Sequence, residues 1–129
     1  FVSHSTFGQP LTSRTKHIKN AVEILKQKSV DFEFDGDMQP DVALNEEYKT
    51  LYPFSKLVGN ANILVMPGQH SAAISYKMMK TLGDTKVIGP LLIGLGLPIE
   101  IAPLRSSTSE ILNLASIAAY SADVIDYKK

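Results

Sequence analysis

Arg105 is one of two arginines in the chain, and the run PLRSSTSEI places Ser106, Ser107, Thr108 and Ser109 directly after it. A guanidinium fork pairs with phosphate through parallel N–H donors, and hydroxyls leading into a helix add donors at its positive end. The run reads as an anion site. It reads equally as a helix start, with Ser107 or Thr108 as cap and Glu110 among the first-turn acids that complement the helix dipole. The two readings are compatible. A second polar concentration, DFEFDGDMQPDVAL at residues 31–44, holds Asp31, Glu33, Asp35, Asp37 and Asp41. Counted as a calcium loop from Asp35, its sixth position is Pro40 where an EF-hand needs glycine, so no metal site is expected. Acid–base work would need one carboxyl pushed up by burial or by a like charge, and the composition points instead to an exposed acidic turn. His4, His17 and His70 show no ligand spacing, and neither G-x-G-x-x-G nor G-x-x-x-x-G-K-[ST] occurs.

Composition narrows the classes. With 129 residues, 44% hydrophobic and 20% charged, the chain suits one soluble globular core or a piece of one. Thirteen basic side chains balance thirteen acidic ones, so no positive field is available to hold nucleic acid. The absence of cysteine excludes disulfides, thiolate nucleophiles and thiolate metal sites, and fits a reducing cytoplasm. The run from Val87 to Leu104 is apolar but carries three Gly, three Pro and Glu100, which suits buried strands rather than a membrane span. Phe1 in place of an initiator Met suggests the tail of a longer polypeptide.

The elements that must position these residues alternate between strand and helix patterns. Residues 1–5 open as a strand, and Ile18, Val22 and Leu25 then trace an amphipathic helix with Ser13 as its expected cap. VDFEFD alternates Phe32 and Phe34 against acids, as a strand with one wet face would. A short helix is expected somewhere in residues 41–52. ANILVMP reads as a buried strand, and Gln69 to Leu82 as a helix striped by Ile74, Met78 and Leu82 and stopped at Gly83. Two more strands are expected in residues 86–104. Ile111, Leu114, Ala115, Ala118, Ala122 and Ile125 mark the face of a last helix, Ala-rich enough for close approach of a neighbour. Such alternation makes an α/β fold with a mostly parallel sheet the natural architecture.

In their order, DGDMQPDVAL, YPFSKLVGNANILVMP, AAISYKMMKTLG, VIGPLLIGLGLPIEI and SSTSEILNLASIAAYSAD span nearly the whole chain. Together these blocks resemble the phosphate acetyl/butyryltransferase family, most closely its degenerate branch at the C-terminus of bacterial NADP-dependent malic enzymes. The resemblance implies a three-layer αβα fold like that of isocitrate and isopropylmalate dehydrogenases. Residues from 1 to about 95 would belong to the second subdomain of a two-subdomain module, and those from about 96 to 129 would return to the first. It further implies acetyl-CoA or CoA as ligand, a malic enzyme domain in the same polypeptide that uses NADP and a divalent metal, and a homo-oligomer.

Site residues follow from the same resemblance. Where active members carry Ser-Arg-Gly, this chain has Leu104, Arg105 and Ser106, and Glu110 matches their catalytic aspartate only with one residue deleted. SHSTFG resembles the family's Ser-x-Ser-Thr-Lys-Gly turn, keeping Ser5 and Thr6 and putting Phe7 for the lysine. The implied ligand-binding residues are Ser5, Thr6, Arg105, Ser106, Ser107 and Thr108. Three readings result, the last of them a purely structural dimerisation module supported by the Ala-rich last helix. In the first, the chain is a non-catalytic acyl-CoA-sensing and oligomerisation domain of a malic enzyme. In the second, it belongs to a working phosphate acetyltransferase, with Arg105 stabilising charge and Glu110 as base. The acidic stretch serves as a family landmark, and Asp37→Asn is expected to leave CoA binding nearly intact.

Overall fold

The computed structural model describes residues 1–84 and 86–126. Two compact units divide the chain, Phe1–Met78 and Met79–Lys129. Among the described residues five helices follow in order: α1 Ser13–Lys26, α2 Pro40–Leu44, α3 Glu46–Lys49, α4 Gln69–Leu82 and α5 Thr108–Asp126.

In the first unit, the opening segment lies between two others. Val2 pairs with Met38 in a parallel bridge, Ser3 N donating to Met38 O at 2.9 Å and Met38 N to Phe1 O at 3.3 Å. Val2 N points the other way and donates to Val65 O at 2.9 Å. Successive residues of an extended chain direct their amides to opposite sides, so residues 1–3 run between 38 and 65 as a central strand would. Val2, Met38, Val42 and Ala43 form the buried core here, with Phe7, Tyr52, Leu57 and Leu64 packed against it. Full burial of side chains the size of Val2 and Met38 is worth about 1.5–3 kcal/mol each.

Local chemistry explains the helices. Thr12, one residue before the expected Ser13, is the α1 cap: its backbone is extended and its side chain accepts from Thr15 N, while Thr15 Oγ1 accepts from Thr12 N at 2.8 Å. This reciprocal box fixes the start of the helix. Val22 is buried and Ile18 and Leu25 are half-buried, as the expected face requires. Where one short helix was expected there are two. Pro40 opens α2 at a position where its missing N–H costs nothing, and Asn45 then caps α3 by accepting from Glu47 N. The bounds of α4 agree with the expected Gln69 to Leu82, and Gly83 N closes it on Met79 O.

Among the described residues the expected strands do not form ladders. Only isolated bridges occur, at Val2↔Met38 and Thr6↔Gln9. ANILVMP and the 87–104 run form no regular element and are largely exposed, with Ile63 75% and Ile93 93% exposed. The stripe of Ile74, Met78 and Leu82 on α4 is likewise exposed. An apolar run suits burial on both faces only when neighbours cover it, and no other described segment does so here. In the first unit Ile63 and Val65 instead border a cavity of about 730 Å³ shared with Phe32, Phe34 and Met38. Leu114 is the buried residue of the α5 face and Ala118 and Ala122 are half-buried, whereas Ile111 and Ala115 are exposed; the side chain of Ile125 lies outside the described residues.

The acidic stretch also departs from expectation. Asp31 and Glu33 are exposed, but Asp35 and Asp37 are buried, and Phe32, expected to face inward, is exposed. The chain turns here at Gly36, which has φ +150° and passes so close to Phe1 that a Cβ would meet Phe1 O at 2.7 Å. A non-glycine residue in this backbone region costs about 1–3 kcal/mol before any clash. Gly36→Ala should therefore lower the thermal midpoint of the chain by several degrees, as followed by circular dichroism, whereas Gly59→Ala, where an added Cβ meets nothing within 4 Å, should cost less than half as much.

Candidate functional site

The residues singled out in sequence lie in two places, one in each unit. In the first unit, residues 3–7 face residues 37–39. Ser5 is fully buried and its hydroxyl donates to Asp37 Oδ2. Ser3 Oγ lies 3.4 Å from Ser5 Oγ and accepts from Ser5 N at 3.2 Å. Asp37 is 2% exposed, and its backbone carbonyl accepts from Phe7 N at 2.7 Å. Phe7 takes a positive φ of 49°, uncommon for a side chain of its size. Thr6 Oγ1 accepts from Gln39 N at 3.2 Å, and Gln39 Nε2 donates to His4 O at 3.0 Å.

Asp35 does a related job on a different segment. Its Oδ2 accepts from Ser55 Oγ at 3.1 Å and Lys56 N at 2.7 Å, and its Oδ1 from Gly36 N at 2.9 Å. The sequence reading took these acids for a solvated turn and missed both. Burial of a carboxyl demands donors, and the partners of Asp37 lie about thirty residues earlier, a pairing that no local pattern reveals. One signal was present: the serines and threonine of SHSTFG supply the donors and acceptors that an adjacent polar segment would match.

In the second unit, Arg105 and Leu104 are exposed on the turn that leads into α5, and Ser106 N donates to Pro103 O at 3.0 Å. Among the described residues, no ion pair or side-chain hydrogen bond engages the Arg105 guanidinium. Ser107 is the cap. Its amide and hydroxyl donate to Glu110 Oε2 at 2.7 and 3.0 Å, and its hydroxyl accepts from Glu110 N at 3.3 Å. Lys80, at the end of α4, pairs with the other carboxylate oxygen of Glu110. The Lys80 hydrogen bond first, then the Ser107 amide and hydroxyl, hold the Glu110 carboxyl down from 4.5 to about 2.

Ser107 is thus committed to Glu110, while among the described residues no side-chain hydrogen bond engages Arg105, Ser106 or Thr108. A base works best with a pKa near the operating pH, so the geometry favours Glu110 as a capping residue over Glu110 as a proton acceptor. His4, His17 and His70 are exposed, and no group of three or more His, Asp or Glu among the described residues is placed to hold a metal ion. No helix among the described residues is long and apolar enough to cross a membrane.

Residues 1–119 match the family model for phosphate acetyl/butaryl transferase. The chain belongs to that family. Among curated relatives, an NADP-dependent malic enzyme of Rhizobium meliloti (strain 1021) is 50% identical over 121 residues, which are 94% of this chain and 16% of that protein. A phosphate acetyltransferase of Clostridium acetobutylicum is 35% identical over 122 residues, again 94% of this chain and 37% of the relative. The EutD phosphotransacetylase from Staphylococcus aureus superposes with a TM-score of 0.83 at 30% identity, covering 94% of this chain and 38% of that structure. This likeness puts the phosphate acetyl/butaryl transferase chain in the α/β class. The chain spans about a sixth of the malic enzymes it matches and somewhat over a third of the phosphate acetyltransferases.

The capping geometry has a measurable consequence. Because the carboxyl of Glu110 is held below its ordinary value, its support of the α5 start is full above pH 4.5 and is lost only as pH falls toward 2. Carboxyl-carbon NMR should give Glu110 a midpoint near 2, and Lys80→Ala should move it upward toward 4.5. A wild-type midpoint near 4.5 would contradict the cap.

Proposed function

We propose that the chain is the acyl-CoA-binding regulatory and oligomerisation portion of an NADP-dependent malic enzyme, whose catalytic part decarboxylates malate oxidatively to pyruvate elsewhere in the same polypeptide. The observation that carries this reading is the division of labour at the α5 turn. Arg105 keeps an exposed guanidinium fork suited to a CoA phosphate, while the carboxylate that a transferase would use as base is tied up in the helix cap. Leu104, fully exposed beside it, cannot donate the hydrogen bond that the family's serine would.

Ser5 and Thr6 extend the proposed ligand set in the first unit. Phe7, in the place of the family's lysine, removes a cation suited to a transferring phosphoryl group. NADP and a divalent metal belong, on this reading, to the malic enzyme part of the polypeptide. Identities of 50% and 38% to two malic enzymes support that parent. Regulation then requires acetyl-CoA to bind one arrangement of the enzyme more tightly than another.

The second reading, an active phosphate acetyltransferase, draws support from the 35% identity to the Clostridium enzyme and from the retained Arg105. Calorimetry and assay of the intact polypeptide separate the two. Acetyl-CoA should bind and shift malic activity, and Arg105→Ala should weaken binding by about 1.5–3 kcal/mol, the worth of a hydrogen bond to a charged group. Acetyl phosphate formed from acetyl-CoA and phosphate, and lost in Arg105→Ala, would select the transferase instead.

A further inference from the structure

The cavity of about 730 Å³ in the first unit is lined by two stretches of chain, residues 32–35 and 59–65, together with Phe1 and Leu25. The same stretches flank the opening segment. Val2 bridges Met38 in parallel, three residues beyond Asp35, and its amide donates to Val65 O at 2.9 Å. Phe1 N donates to Asp35 O at 2.8 Å on the Met38 side. Both members of a parallel pair run the same way, so any chain leading into Phe1 lies beside the residues that lead into Asp35. Those residues are Phe32, Glu33 and Phe34, and all three line the cavity.

The lining is chiefly apolar. Leu25, Phe34 and Leu64 contribute to it, and so do Phe32, Ile63 and Val65, which are exposed. The rings of Phe32 and Phe34 meet edge to face with centroids 6.2 Å apart. The two acids of the lining are already engaged, Glu33 Oε2 by Val58 N at 3.0 Å and the Asp35 carboxylate by Ser55 Oγ, Lys56 N and Gly36 N. A contiguous apolar surface of this kind marks a place of contact. Burial pushes the Phe1 amine below its ordinary 8.0, with the charge of Asp35 opposing. A peptide N–H at that point would make the same bond to Asp35 O with no charge to desolvate. The Staphylococcus aureus phosphotransacetylase matches 94% of this chain with only 38% of its own length, which leaves most of that polypeptide outside the match.

We infer that the polypeptide leading into Phe1 in the intact protein covers this cavity, continuing the opening segment beside residues 32–34 and setting apolar side chains against Ile63 and Val65. The inference rests on the reading above that the chain is a portion of a longer polypeptide, and it names the surface by which this portion holds the part before it. Chain that its own backbone delivers to the cavity arrives at high effective concentration, an advantage that neither a second copy nor a free apolar molecule has.

The test is photo-crosslinking in the intact polypeptide, with Phe32 replaced by the photoreactive p-benzoylphenylalanine and the products mapped by mass spectrometry. Crosslinks should fall within about 30 residues upstream of Phe1, the span of one supersecondary unit. Mixing isotopically heavy and light protein before irradiation separates the occupants: light-to-light and heavy-to-heavy products alone are expected, and mixed products assign the cavity to a second copy and overturn the inference. Products confined to residues 1–129, or none, overturn it as well. A second measurement serves if the bulky side chain at position 32 prevents folding. In Ile63→Cys, maleimide labelling at position 63 of the native intact polypeptide should be at least about tenfold slower than in denaturant, because thiol reactivity follows exposure; equal rates would mean an open cavity and reject the cover. Both measurements are made without acetyl-CoA. Upstream crosslinks in a protein that fails to bind acetyl-CoA support the cover and sink the regulatory reading, whereas acetyl-CoA binding with crosslinks elsewhere sinks the cover alone.

Discussion

A carboxyl group that leaves water must find donors, and in this chain that requirement organises the first unit. Asp35 and Asp37 are both buried within three positions of one another. One gathers Ser55 and the Lys56 amide, and the other gathers Ser5. Segments far apart in sequence are thereby tied to one turn, and the same turn supplies Met38 to the apolar core between them. Polar satisfaction and apolar burial are satisfied by neighbouring residues. An unpaired acid at either position would cost more than the burial of Met38 returns.

The legible parts of the fold were those whose causes are local. The α4 bounds, the buried Val22 of α1 and the Ser107–Glu110 cap all depend on residues within four positions of one another, and the sequence reading located each. The illegible parts depend on partners at a distance. Period-two alternation in VDFEFD describes a surface with two unlike faces but not which face the rest of the chain will cover. Asp35 turned inward and Phe32 outward because the donors at residues 55–56 lay on the side assigned to water. For Ile63 and Ile93 the apolar run described an environment that no other described segment provides. At the candidate site, Arg105 and Ser107 were found by residue type, whereas Lys80, thirty residues from Glu110, and Asp37 were not.

Membership in the phosphate acetyl/butaryl transferase family gives these differences a chemical sense. The family landmark at residues 35–39 proves to be the part that grips the opening segment. Leucine and phenylalanine stand at positions 104 and 7, neither of which carries a side-chain hydrogen-bond donor or a charge. What remains is an exposed guanidinium fork at Arg105 and the hydroxyls that follow it.

Lys80 and Glu110 have one further effect, on the electric field around the α5 turn. Their charges cancel locally, and among the described residues Arg105 is in no ion pair. The chain as a whole is neutral, with thirteen charges of each sign. A single exposed charge is screened within about 8 Å at physiological ionic strength. An anion in solution is consequently not drawn toward this surface from afar, and arrives at the ordinary rate of unsteered encounters. Any preference the turn has for one anion over another is exercised after contact, in how long that anion stays.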